Sequence, residues 1–209
     1  MNATIKLENE KHFPVLLNEI ISILTPHYGG TFIDCTFGQG GYSKKILENN
    51  KNKIFAIDRD LESAKVANQI KKKYQNRFQF ENKKFSEILD LGKNINDLKG
   101  IIFDLGFSTN QIKDPEKGLS FNNKGKLNMK MGLNSISANE IINNLGEKEL
   151  TKIFRVFGEE NSGKNISKKI NSFRKKKNIE TEDLVNIINS VKKKNIQKFI
   201  MLQKFFKRL

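Results

Sequence analysis

The sequence predicts an α/β chain: a doubly wound, largely parallel sheet with a helical domain after its fourth strand. Three observations carry that expectation. Short apolar runs alternate with helix-period segments through the first half, the pattern of consecutive βα units. A glycine-rich stretch, "DCTFGQGGYSKKIL" (residues 34–47), follows the first buried-type run. From Ser137 to Val191 the apolar spacing is helical throughout.

"FPVLLNEIISIL" predicts a helix from Phe13 to Leu24, ended near Pro26. "TFIDC" (Thr31 to Cys35) reads as a buried strand, followed by the glycine loop and a helix from about Tyr42 to Glu48. "KIFAID" (Lys53 to Asp58) is a second strand. "LESAKVANQIKKKY" is a helix with Leu61, Ala64, Val66 and Ile70 near its inner face. "RFQFEN" is a weaker strand, and a short helix surrounds Ile88. "GIIFDLG" (Gly100 to Gly106) is the fourth strand, and this order gives a doubly wound sheet. After Gln111, "KDPEKGLSFNNKGKLNMKMG" has the Gly, Asn and Pro content of a loop. Three helical segments follow, with Ser137 and Thr181 as N-caps. The expected domains are 1–112 (α/β), 113–195 (helical) and a divergent tail, 196–209.

The composition narrows the function classes. No run of eighteen apolar residues is present, so no membrane-spanning helix is expected. The polar start, "MNATIKLENEKHF", lacks the apolar segment of a signal peptide, so a cytoplasmic protein is expected. The single cysteine, Cys35, permits no internal disulfide and, inside an apolar run, reads as a packed core thiol. No metal-ligand pattern stands out. The net charge is +15, of which residues 161–209 supply +11. An AT-rich genome would also enrich Lys and Asn, but that concentration points to a polyanionic partner, RNA or DNA.

The glycine loop admits two chemistries. Gly38 and Gly40 fill two positions of a dinucleotide fingerprint, while its third position holds Ser43. Asp58, twenty residues past Gly38, is placed to accept ribose hydroxyls, or merely to cap a turn. Asp34 ends the first strand, where a carboxylate would repel a pyrophosphate but tolerate a cofactor with an amino group and a sulfonium. This favours S-adenosyl-L-methionine over NAD. "FDLGFSTNQ" places Asp104 where ligands of open α/β sheets sit, and Gln111 follows.

These segments also carry a resemblance. "HFPVLLNEII", "IDCTFGQGGYS", "AIDRD", "FDLGFSTNQI", "KGLSF", "LNMKM" and "FGEENSGKNISKKI" stand in the order and spacing of the bacterial 16S rRNA (cytosine-N4)-methyltransferases, over roughly residues 11–190. The resemblance implies a class I, Rossmann-like S-adenosylmethionine-dependent methyltransferase with an inserted helical domain. It implies methyl transfer to the exocyclic amine of a decoding-site cytosine in 16S rRNA of the small ribosomal subunit. It also implies cofactor residues Gly40, Gly41 and Tyr42 in the loop, Asp58 on the ribose, Phe85 beside the adenine, and Asp104 and Gln111 completing the pocket. Asp104, or a neighbouring backbone carbonyl, is the expected acceptor of the amine proton.

The departures are specific. Tyr42 stands where that family usually has His, and "LNMKM" where it has Leu-Asp-Met-Arg-Met. Asn128 therefore removes a carboxylate, and Lys130 replaces a bidentate fork. "KGLSF" replaces Arg-Gly-Phe-Ser-Phe. The final "NIQKFIMLQKFFKRL" is expected to leave the family pattern, with later sheet strands missing and the fourth strand an open apolar edge. A truncated or frameshifted enzyme with impaired activity is the expectation, against a short form whose last helix covers that edge. A non-catalytic RNA-binding remnant and an NAD-dependent dehydrogenase are the alternative functions.

Overall fold

The structure, a computed structural model, describes residues 14–92, 95–120, 126–130 and 132–191. They fall into two compact units, Met1–Leu105 and Gly106–Leu209. The expected tail, 196–209, lies outside the described residues.

The first unit is a parallel sheet of β1 (Gly30–Asp34), β2 (Asn52–Asp58), β3 (Phe78–Asn82) and β4 (Leu98–Ile102), in the order β3-β2-β1-β4. The chain runs outward from β1 through β2 to β3, then returns to place β4 on the other side of β1. Strand order therefore reverses at β1, and the crevice of such a sheet opens beyond the carboxyl ends of β1 and β4. One face carries Phe32, Ile54, Phe78 and Ile102, all 5% exposed or less, beneath α1 (Leu17–Leu24), α2 (Gly41–Leu47) and α3 (Ser63–Tyr74). The other face buries Ile33, Cys35 and Ile57 with partial cover from Ile88 and Leu91 of the five-residue α4 (Ile88–Gly92). On β4, Ile101 is 43% exposed, and Phe103 just beyond it 47%.

Several boundaries differ from the sequence expectation. Helix α1 starts at Leu17, because Leu16 is left-handed (φ 52°); Phe13 lies outside the described residues. The fourth strand spans Leu98–Ile102 rather than Gly100–Gly106. The Cys35 N–H donates to the Ile102 carbonyl, the last bond of the ladder with β1, and beyond it the Asp104 N–H donates to Thr36 Oγ1. Leu61 is exposed, since α3 begins two residues after it; Ser63, Ala67 and Ile70 make its buried row.

The second unit is helical: α5 (Thr109–Lys113), α6 (Ala138–Asn144), α7 (Glu147–Val156), α8 (Gly163–Phe173) and α9 (Thr181–Val191). Its core joins Ile141, Ile142, Leu150, Phe154, Ile166, Ile170, Leu184 and Ile188. The loop before α6 also supplies Leu119, Leu127 and Met129, each at most 2% exposed, which its polar composition concealed. Ser137 caps α6 through a capping box with Glu140. At α9 the returning bond runs from Glu180 N–H to the Asp183 carboxylate, so the cap lies one residue before Thr181.

Candidate cofactor site

The site is built on the carboxyl ends of the first unit's strands. Gly40 is the N-cap of α2 with φ 71°, a left-handed conformation that side chains resist. A Cβ there would lie 2.7 Å from Ile70 Cδ1 and 2.8 Å from the Phe37 ring. A Cβ on Gly41 would lie 2.1 Å from Pro14 Cγ. Both glycines are thus demanded by the packing of the loop itself, whatever ligand it meets.

Asp34 and Asp58 hold that loop. Asp34 has no exposed surface; its carboxylate accepts Ser43 O–H at 2.6 Å and Thr36 N–H at 3.3 Å. Burial pushes the Asp34 carboxyl up to about 6; the Ser43 and Thr36 bonds oppose the rise, and the Asp58 and Asp104 charges add to it. Asp34 therefore touches no ligand in this conformation, and its charge acts from beneath the loop. Asp58 accepts Gly38 N–H at 2.6 Å through one oxygen and Asp60 N–H at 2.7 Å through the other. Burial raises its carboxyl as well, against those bonds. The Ser63 hydroxyl is a third donor to Asp58, so of the roughly four lone-pair directions of a carboxylate about one remains for a ligand hydroxyl.

Tyr42 is 6% exposed, and its hydroxyl donates to the Val15 carbonyl, tying the segment before α1 to the loop. Its side chain is committed to the fold, which leaves the backbone to face a ligand. Burial raises the Tyr42 phenol, as do the Asp104 and Asp34 charges.

Phe85 opens a short 3-10 turn after β3 and is 42% exposed. Its ring meets Phe103 edge-to-face at 5.9 Å between centroids, a geometry favoured by the ring quadrupoles. Asp104 is exposed beyond β4. The structure thus brings the glycine loop, Asp58, Phe85 and Asp104 to the carboxyl ends of the strands of one sheet. Gln111 belongs to the second unit. There its Oε1 accepts Ser108 N–H at 2.9 Å while its own N–H donates to Ser108 Oγ at 3.2 Å, a capping box on α5. Thr36 and Ser43 are site-building residues that motif reading passed over. Their signal was present as a hydroxyl two residues and nine residues after Asp34. Among the described residues, no cluster of His, Cys, Asp or Glu is arranged to hold a metal ion. None of their helices is long and apolar enough to cross a membrane.

The MraW methylase family matches residues 9–209. The chain is 42% identical over 181 residues to "Ribosomal RNA small subunit methyltransferase H" of Orientia tsutsugamushi (strain Ikeda), covering 86% of this chain and 58% of that protein. Proteins of the same name from Wolbachia pipientis subsp. Culex pipiens (strain wPip) and Ehrlichia canis (strain Jake) are each 40% identical over 184 residues, 86% of this chain and 63% and 62% of their own length. The chain thus spans about three fifths of the length of the curated relatives it matches. The family match runs through Leu209, past residue 190, where the motif resemblance was expected to end. This chain belongs to the MraW methylase family.

Proposed function

From that membership, we propose that the chain uses S-adenosyl-L-methionine to methylate the N4 amine of a decoding-site cytosine in 16S rRNA of the small ribosomal subunit, and that it does so in the cytoplasm. The observation that carries the reading is the set of acids at the carboxyl ends of the strands. The Asp58 and Asp104 charges both act on buried Asp34, with Arg59 as the cation beside Asp58. An acidic site suits a ligand bearing an amino group and a sulfonium better than a pyrophosphate, and so disfavours the NAD-dependent alternative.

The residues present fit the cofactor. Asp58 accepts a ribose hydroxyl with the lone pair that its bonds to Gly38, Asp60 and Ser63 leave open. Phe85, half-exposed and held edge-on by Phe103, presents a face for the adenine. The backbone of Gly40, Gly41 and Tyr42 borders the methionine portion. Bound S-adenosylmethionine supplies an electrophilic methyl group. The cytosine amine is a poor nucleophile, because its lone pair is delocalised into the ring. Asp104 would accept an N–H of that amine, localise its lone pair and take up the proton that methylation releases. Holding amine and methyl in line contributes most of the rate. The helical domain, residues 113–195, positions the RNA through phosphate contacts.

Incubating the chain with methyl-labelled S-adenosylmethionine and small-subunit rRNA tests this. N4-methylcytosine is expected, and Asp104→Asn should lower turnover at least ~100-fold at saturating S-adenosylmethionine. Binding of cofactor and RNA without methyl transfer would instead make the chain a non-catalytic RNA-binding protein. Binding of NAD in preference to S-adenosylmethionine would overturn the cofactor assignment.

A further inference from the structure

Helix α8 carries a lysine track with no counter-charge. Between Glu160 and Glu180 the sequence has no acid and seven cations. The buried row of α8, Gly163, Ile166, Ser167 and Ile170, faces the helical core. At 100° per residue, Lys164, Lys168 and Lys175 fall on the opposite, exposed arc, with Asn165 and Ser172 beside them. Arg174 remains helical in φ and ψ, so the track continues past the last turn for about 16 Å from Lys164 to Lys175.

Three neighbouring cations are engaged elsewhere. Arg174 donates to the Ile142 and Leu145 carbonyls and to Asn171 Oδ1. Lys177 pairs with Asp183 at 2.9 Å, and Lys169 donates to Ser190 Oγ at 2.8 Å. No carboxylate among the described residues lies within ion-pair distance of Lys164, Lys168 or Lys175. The fold thus uses the guanidinium as a clamp and leaves a row of point charges in water.

We propose that the Lys164–Lys168–Lys175 face of α8 is the track on which an RNA strand lays its phosphate backbone. The inference rests on the RNA-methyltransferase reading and deepens it by naming the surface. Four features select the partner. Ammonium groups contact phosphates as point charges and carry no bidentate base readout. The arc has no aromatic residue to stack on bases, so the contact positions RNA without reading sequence. It has no exposed apolar residue to enter a lipid surface, because the apolar side of α8 is spent in the core. It also lacks the aromatic and Arg anchors that dominate protein–protein interfaces.

The test compares the full chain with Lys164→Glu/Lys168→Glu/Lys175→Glu, and with an equally charge-altered control on α3, Lys65→Glu/Lys71→Glu/Lys72→Glu. Binding of a short single-stranded RNA is followed by anisotropy across a NaCl series. A Lys→Gln version of the α8 triple and far-ultraviolet circular dichroism keep the result independent of misfolding. The α8 triples should weaken binding at least ~10-fold at moderate salt and flatten the slope of log K against log [salt] by about 2, while the control leaves the slope unchanged. Equal losses in the α8 and α3 variants would overturn the track, since net charge alone would then explain them. Unchanged binding by the α8 triples with tight wild-type binding would overturn the track but leave the RNA reading standing. Failure of the wild type to bind RNA would overturn both.

Discussion

Asp34 is a carboxylate with no exposed surface, held by one hydroxyl and one backbone N–H. Its folded-state value of about 6 lies above the ordinary 3.8, so the folded protein holds this proton more tightly than the unfolded chain. Its contribution is therefore most favourable at low pH, falls as pH rises from about 4 to about 6, and is constant above that window, a loss of about 3 kcal/mol. Asp34→Asn removes the titration and keeps an acceptor for Ser43 or Thr36. Urea unfolding at pH 4.5 and pH 7 should show the wild type losing stability relative to the variant as pH rises; parallel curves would exclude the burial of a charge here. Asn128 shows the same dependence on partner. Its side-chain amide donates to the Glu116 carbonyl at 3.0 Å, a bond that the aspartate usual in the resembling family has no proton to make when ionised.

At the scale of elements, the glycine loop is where expectation and structure meet most informatively. The glycines mark a close approach, and the approaching groups are Phe37, Ile70 and Pro14 of the same unit. Gly40→Ala should cost about 1–3 kcal/mol, from the left-handed backbone and the contact with Ile70, and should lower the melting temperature even without ligand. A variant as stable as wild type that loses only cofactor affinity would contradict this. Most strands and helices were legible because their apolar periods are long enough to read. The exceptions have physical causes. Leu16 and Leu61 are apolar but lie before the first turn of their helices, so the periodic face does not include them. Leu119, Leu127 and Met129 enter the core from a loop, and no period marks them. The fourth strand's pairing ends at Ile102, and beyond it the Asp104 N–H donates to the Thr36 side chain instead of a backbone carbonyl.

For the molecule as a whole, the buried clusters divide at the Leu105–Gly106 boundary, two on the faces of the sheet before it and one among the helices after it. Cys35, the only cysteine, sits 3% exposed in the sheet unit, where burial and the Asp34 charge push its thiol up to about 12. It is a built-in reporter: Ellman's reagent should reach it only when that unit opens. Under mass action, S-adenosylmethionine at one hundred times its Kd should slow labelling about 100-fold, whereas NAD should not. Slowing by NAD alone would reverse the choice of cofactor.

The sequence by itself determined the parallel βα order, the glycine loop, the acids at strand ends and the basic helical region, because periodicity and residue type are local properties. The tertiary structure decided what those residues do. It seals Asp34 under the loop, binds Asp58 to Gly38, ties the Tyr42 hydroxyl to Val15 and turns Gln111 into a helix cap. It also separates the clamping Arg174 from the solvated Lys164, Lys168 and Lys175. Identical side chains bind ligand or fold according to which polar groups reach them first, and that competition is settled only when distant segments pack together.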